Sequence, residues 1–153
     1  VITIQHNGTT YFCETPADAE AAGVPAAVVL DALRADAKAR IDQAAGRARA
    51  RYITTAPGQE AVYLLKERQA REFAAAGYPK ASVPPLIQAD VDAGAGTAQA
   101  AADAIIAQAD AWIALAARIE QARRAGKAAV DAATDSAAID AAVDAAITQL
   151  NAI

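Results

Sequence analysis

Alanine is what most restricts the fold of this chain, since it fills roughly one position in three of the 153 residues. It is the strongest helix former yet buries little area, so a fold built on it must bring helix axes close together. Large side chains are scarce: one Trp, two Phe, four Tyr and no Met, although apolar residues make up 55% of the chain. The composition therefore predicts a mainly α protein whose long Ala-rich helices pack as helical hairpins or a bundle. Neighbouring copies in an oligomer are the expected source of any missing burial.

The N-terminal segment departs from this pattern. Between Val1 and Cys13 two β-prone runs flank Asn7-Gly8, the pair best suited to the positive-φ positions of a type I′ turn. That turn sets His6 opposite Thr9, Ile4 opposite Tyr11 and Ile2 opposite Cys13, so Ile2, Ile4, Tyr11 and Cys13 share one face. A lone hairpin is marginal in water, and this face needs a helix or another subunit over it. Thr15 then reads as the N-cap of a short helix, with Pro16 at its first position, Asp18 in its first turn and Gly23 at its end.

Pro25 opens a longer helix in which Val29, Leu33, Ala37, Ile41, Ala44, Ala48 and Tyr52 recur at helical spacing. The run from Ile53 to Pro57-Gly58 should break it, with Thr55 available to cap a third helix over about residues 58–76 that carries Val62, Leu65, Ala70 and Phe73. Residues 78–96 hold Pro79, Pro84, Pro85, Gly94 and Gly96 and read as a connector between a region 1–77 and a helical hairpin 97–153, with a short helical turn from Leu86 to Val91 that packs Leu86, Ile87 and Tyr78 against the helices. In that hairpin Thr97 caps a long helix where Ile105, Trp112 and Ile119 recur every seven residues with Ala109 and Ala116 between them, a seam for close helix packing. Gly126 is expected to weaken or kink this helix. Thr134 or Asp135 caps a last helix striped by Ile139, Val143, Ile147 and Leu150, and the two segments are expected to pair antiparallel.

The formal net charge of −4 and pI near 4.9 speak against a general nucleic-acid binder, which needs a dominant basic face. The single cysteine, Cys13, has no internal disulfide partner and fits a cytoplasmic origin. No apolar stretch is read as approaching the roughly 20 residues of a membrane span, so no membrane association is expected. The one histidine, His6, and Cys13 lie at opposite ends of the hairpin, which makes a catalytic pair between them improbable by the reach such a pair needs. Asp131, Asp135, Asp140 and Asp144 lack a histidine or a calcium-loop glycine, and Gly94-Ala95-Gly96-Thr97 lacks the Gly-Lys pair of a phosphate loop. No enzyme activity, catalytic residue, cofactor or metal is expected. Glu67 with Arg71 and Glu120 with Arg124 have the spacing of intrahelical ion pairs, while Arg49, Arg51, Arg123 and Arg124 would suit an acidic partner if the fold gathers them. Trp112 is the largest available anchor. The residues expected to contact partners are Ile2, Ile4 and Tyr11 on the hairpin and Ile105, Trp112 and Ile119 on the seam.

Two segments carry a resemblance. The run Arg51-Tyr52-Ile53-Thr54 continuing through Gly58-Gln59, Tyr63 and Lys66 resembles a pattern in small proteins of tailed bacteriophages, R-Y-I-T-x-x-x-G-Q-x-x-x-Y-x-x-K. In those proteins a helix with a Trp and then I-E-x-x-R follows, and Trp112 with Ile119-Glu120-Gln121-Ala122-Arg123 is similar. The resemblance spans about residues 1–130 and implies a tail-fibre-associated or tail-fibre assembly protein. It implies no catalytic residue, a fibre or baseplate chain as partner, a homo-oligomer with a trimer as one expected form, and a location in the virion tail or in the host cytoplasm during assembly. The alternative is a regulatory helical module that sequesters a host or phage protein.

Overall fold

The computed structural model describes residues 1–53 and 58–153. The protein is mainly α. An antiparallel hairpin of β1 (Ile2–His6) and β2 (Thr9–Cys13) is followed by six helices: α1 (Pro16–Ala21), α2 (Ala26–Ala50), α3 (Gln59–Ala75), α4 (Pro85–Asp92), α5 (Ala98–Ala132) and α6 (Ser136–Asn151). The chain divides into two compact units, Val1–Arg51 with Arg118–Ile153, and Tyr52–Ala117. The break therefore falls within α5 and after α2 instead of at residues 78–96. The stretch expected to be a connector is built into the second unit, because its Pro84-Pro85 pair starts α4 and places Ile87 fully inside a core.

In the first unit the hairpin has the expected register, with Ile2, Ile4 and His6 opposite Cys13, Tyr11 and Thr9. Asn7 and Gly8 take positive φ of 49° and 76°, the turn that a residue with a short polar side chain and a glycine make at little cost. The apolar face is covered by the chain's own helices. Ile4 and Cys13 are buried in one cluster with Ala19 of α1, Val24 of the loop before α2 and Val29 of α2, and Ile2, Tyr11 and Leu33 pack around it. The Thr15 and Asp18 side chains form a reciprocal capping box that starts α1 at the right angle for this contact.

The rest of this unit is a three-helix arrangement of α2, α6 and the C-terminal part of α5. Its buried positions follow steps of three and four: Ala37, Ile41, Ala44 and Ala48 on α2, Ile119, Ala122, Gly126 and Val130 on α5, and Ile139, Val143, Ala146 and Leu150 on α6. Gly126 sits where the helices come closest. A Cβ placed there would lie 2.5 Å from Cβ of Ala146 and 3.3 Å from Cδ1 of Ile41. α5 is continuous through this glycine, so the expected kink is replaced by a close approach: the missing methyl lets α6 and α2 reach α5, and those contacts offset the poor helix propensity. Asp135 caps α6 by accepting from Ala138 N–H.

In the second unit the core consists of Ala70 and Phe73 of α3, Ile87 of α4 and Ala101 and Ala102 of α5, with Tyr78, Val83, Ile105 and Ile106 around it. Tyr78 adopts φ +57°, a conformation that a bulky residue occupies only when held there. Two contacts hold it: an edge-on packing against Phe73 at 5.5 Å between ring centres, and a hydrogen bond donated by its phenol to Asp103. That carboxylate keeps the phenol pKa above its ordinary value. Gln69 accepts from the free N–H of Leu86 in the first turn of α4, and Lys66 pairs with Asp90 at 2.6 Å, which fixes α4 along the C-terminal half of α3.

α5 also corrects the expectation about apolar length. By length and composition it is the one helix among the described residues that could cross a bilayer, with an 18-residue window of mean hydropathy 1.3, of which 11% is buried inside the protein. The alanines raise that figure together with Ile105, Ile106, Ile113 and Leu115. Asp103 and Asp110 lie in the same stretch, engaged by Tyr78 and by Arg71.

Candidate interaction surface

Ion pairs were sequence-visible only within helices, yet most of the charged side chains named above are engaged between helices. In the first unit Lys38 pairs with Asp131, Asp42 with Lys127 at 2.8 Å and with Arg123 at 2.7 Å, and Arg49 with Glu120 at 3.2 Å. Each step of four or seven along α2 is matched by an equal step back along α5, the signature of antiparallel helices held in register. Glu120 also takes both Arg123 and Arg124, the latter in the expected intrahelical pair. The Arg123 hydrogen bond, with Arg124 adding to it, holds the Glu120 carboxyl down at about 2 against the opposing effect of desolvation. Lys127 and Arg123 lower Asp42 in the same way.

Arg51 donates to the carbonyls of Leu150 and Asn151 at the C-terminal end of α6, and Arg34 donates to that of Ala133 just past α5. These are the orphan acceptors that a helix end leaves, and a guanidinium suits them by charge as well as geometry. Arg49, Arg51, Arg123 and Arg124 are thus each engaged within the protein, Arg124 while its side chain stays 79% exposed. The Asp residues at 131, 135 and 144 are likewise taken, by Lys38, by the α6 cap and by Arg40. No group of three His, Cys, Asp or Glu side chains able to hold a metal occurs among the described residues.

The partner-contact residues expected from the sequence do not form one surface. Ile4 is 1% exposed and Ile119 is fully buried in the first unit. Both belong to the protein's own core, because helices of the same chain cover the hairpin face and the α5 seam at these points. Ile2 and Tyr11 are half-buried around the hairpin core, and Ile105 is half-buried around the core of the second unit. Trp112 is half-buried and belongs to neither cluster. The Cys13 thiol is buried, and the His6 ring lies at the turn against the Asn7 amide.

The first half of α3 was not among the residues expected to contact partners. Gln59 to Leu65 precede the contacts with α4, and here Val62, Tyr63, Leu64 and Leu65 are all exposed, Leu64 to 64%. Successive residues of a helix step round by about 100°, so four consecutive apolar side chains surround the helix instead of forming a stripe. A helix that is apolar all round belongs in an interior. Ile113 of α5 in the same unit is 54% exposed. Single exposed leucines are ordinary, whereas several large apolar residues in one unit mark a contact surface. Ala61, Leu64, Leu65 and Arg68 line an open depression of about 450 Å3 on α3. A second depression in the first unit, about 320 Å3, has Glu20, Leu30, Leu33 and Asp135 in its wall. Neither contains a histidine or cysteine in its lining. Their chemistry suits packing of apolar side chains.

No protein-family model, no curated protein and no solved structure matches this chain.

Proposed function

We propose that this protein is a non-enzymatic bacteriophage tail component, a structural or assembly protein that binds tail-fibre or baseplate chains. The observation that carries the reading is the pair of sequence patterns, Arg51-Tyr52-Ile53-Thr54 through Lys66 and Trp112 through Arg123, taken with the residues they leave exposed. Thr54 and Thr55, with the cap expected at Thr55, fall outside the described residues. The patterns divide in a physically sensible way. Ile119, Glu120 and Arg123 serve the protein's own packing and ion pairs. Tyr52 and Tyr63 of the first pattern are exposed, next to Val62, Leu64 and Leu65. Aromatic side chains presented with aliphatic neighbours are the usual anchors of protein interfaces.

The apolar first half of α3 is accordingly the surface we assign to protein contact, in place of the hairpin face. The protein acts through packing, with no nucleic acid, membrane or cofactor in its role. Co-purification of the full-length chain with the fibre and baseplate proteins encoded beside it tests this reading, together with mass spectrometry of purified particles. Retention by a fibre or baseplate chain, with loss of retention in Tyr63→Ala, is the expected result. A chain that binds neither and is missing from particles refutes it, and capture of a host regulator instead would establish the sequestering module.

A further inference from the structure

The depression on α3 has a specific geometry. The described residues that line it, Ala61, Leu64, Leu65 and Arg68, stand at i, i+3, i+4 and i+7. That diamond is the hole into which one side chain of a facing helix inserts when two helices pack. The ends of the same face carry unused charge of opposite sign. Glu60 lies four residues before Leu64 and Arg68 four residues after it, both exposed, and neither has an ion-pair partner among the described residues. Other charges nearby are satisfied, Lys66 by Asp90 and Arg71 by Glu67 and Asp110.

We propose that the occupant is α3 of a second copy of this chain, related by a two-fold axis near Leu64. A two-fold contact is self-complementary: whatever one copy presents before the axis must match what the other presents after it. Running the second α3 antiparallel sets Leu64 of each copy into the Ala61, Leu64, Leu65 and Arg68 hole of the other. It also brings Glu60 of each beside Arg68 of its partner. Glu60, Leu64 and Arg68 form one i±4 row, and two such rows line up when helices cross at about −50°, the commonest packing class. The two copies therefore gain two equivalent ion pairs flanking a leucine contact. The chain already uses this grammar internally, where α2 and α5 run antiparallel with opposite charges facing at matched steps. The second copy takes the Leu64 row and leaves Val62 and Tyr63, which step round to other sides of α3, for a fibre or baseplate chain, so this inference does not depend on the phage reading.

The test is the mass of the full-length protein by sedimentation equilibrium across a concentration series, with helicity by circular dichroism as the folding control. A dimer with a measurable dissociation constant is expected. Leu64→Glu, at an exposed position, should keep the helicity and weaken the dimer by tenfold or more, on the order of the loss of one central apolar anchor. Glu60→Arg and Arg68→Glu should each weaken it about threefold or more through like-charge contacts, and the double variant E60R/R68E should return to within about twofold of the wild type. A monomer at all concentrations, a trimer, a dimer indifferent to Leu64→Glu, or a double variant no better than the singles each overturns the proposal. A trimer would do so while leaving the tail-component reading intact.

Discussion

Replacing Gly126 by Ala sets two known effects against each other at one atom. In an exposed helix interior, glycine to alanine gains about 1 kcal/mol of helix propensity. At Gly126 the new methyl would meet Cβ of Ala146 at 2.5 Å and Cδ1 of Ile41 at 3.3 Å. Ile41 can turn its terminal methyl aside, but a Cβ moves only with its backbone, so α6 must shift by more than 1 Å to restore a normal contact of about 3.5–4.0 Å. Because α6 is pinned by Arg51 at one end and by the Asp135 cap at the other, that shift disturbs several contacts at once. Overpacking of this kind costs about 1–3 kcal/mol, and the rigid neighbour places this site at or beyond the upper end. The net expectation is destabilisation by about 2 kcal/mol or more. Gly46 provides the control: it lies in the interior of α2, is exposed, and a Cβ there meets nothing within 4 Å, so Gly46→Ala should stabilise by about 0.5–1 kcal/mol. Urea unfolding followed by circular dichroism reads both, and the slope with denaturant checks that the compactness of the end states is unchanged. If Gly126→Ala were as stabilising as Gly46→Ala, the close approach of α5, α6 and α2 would be wrong.

Three further outcomes follow from the contacts. Ile4→Ala should cost about 2–4 kcal/mol, because the residue is fully enclosed by β2, α1 and α2; a loss under about 1 kcal/mol in chemical denaturation would mean that the hairpin is not docked on its helices. Thr15→Ala removes the side chain that opens the α1 capping box and should cost about 1 kcal/mol by the same measurement, and an unchanged midpoint would count against the box. Glu120 titrates at about 2 in the folded protein, below its ordinary value near 4.5, so its contribution is present above pH 4.5 and is lost as pH falls towards 2. Glu120→Gln should therefore flatten the decline of stability between those pH values, and a variant with the wild-type acid slope would refute the Arg123 and Arg124 pairing.

How much of this was legible depends on whether the signal was local. The hairpin register followed from Asn7-Gly8, and the α1 and α6 caps from Thr15 and Asp135, because each is decided within a few residues. The assignment of apolar stripes to partners was not local. Ile4 carries the same pattern whether a helix of its own chain or a foreign one covers it, and only the three-dimensional path of α1 and α2 decides. Residues 78–96 were legible in part: the helical turn after Pro84-Pro85 is decided locally, because a proline in the first turn is compatible with a helix that begins there, whereas membership of the second unit depends on distant contacts. Gly126 misled because propensity was read without the neighbour that makes glycine necessary. The Ala-rich window of α5 was underrated as an apolar run because alanine looks like filler between Ile and Trp. On α3 the sequence showed Val62, Leu65, Ala70 and Phe73 without distinguishing them, and the structure buries Ala70 and Phe73 while leaving Val62 and Leu65 exposed.

The distribution of charge and bulk in the two units gives the functional reading its physical basis. In the first unit small side chains and Gly126 let three helices approach closely, and a ladder of opposite charges fixes which residues face one another. Such a ladder contributes modestly to stability at the surface, but a shift of one residue would set unmatched groups opposite each other, so it specifies alignment. The second unit treats its resources differently. It buries Phe73, Ile87 and three alanines at one end of α3 and leaves Leu64 with its apolar neighbours uncovered at the other. If those residues faced inward within the chain, α3 would have no need of Glu60 and Arg68 exposed and unpaired on either side of Leu64. An apolar centre flanked by opposite charges is the pattern of a surface that meets a partner, with the leucines supplying most of the affinity and the charges its alignment.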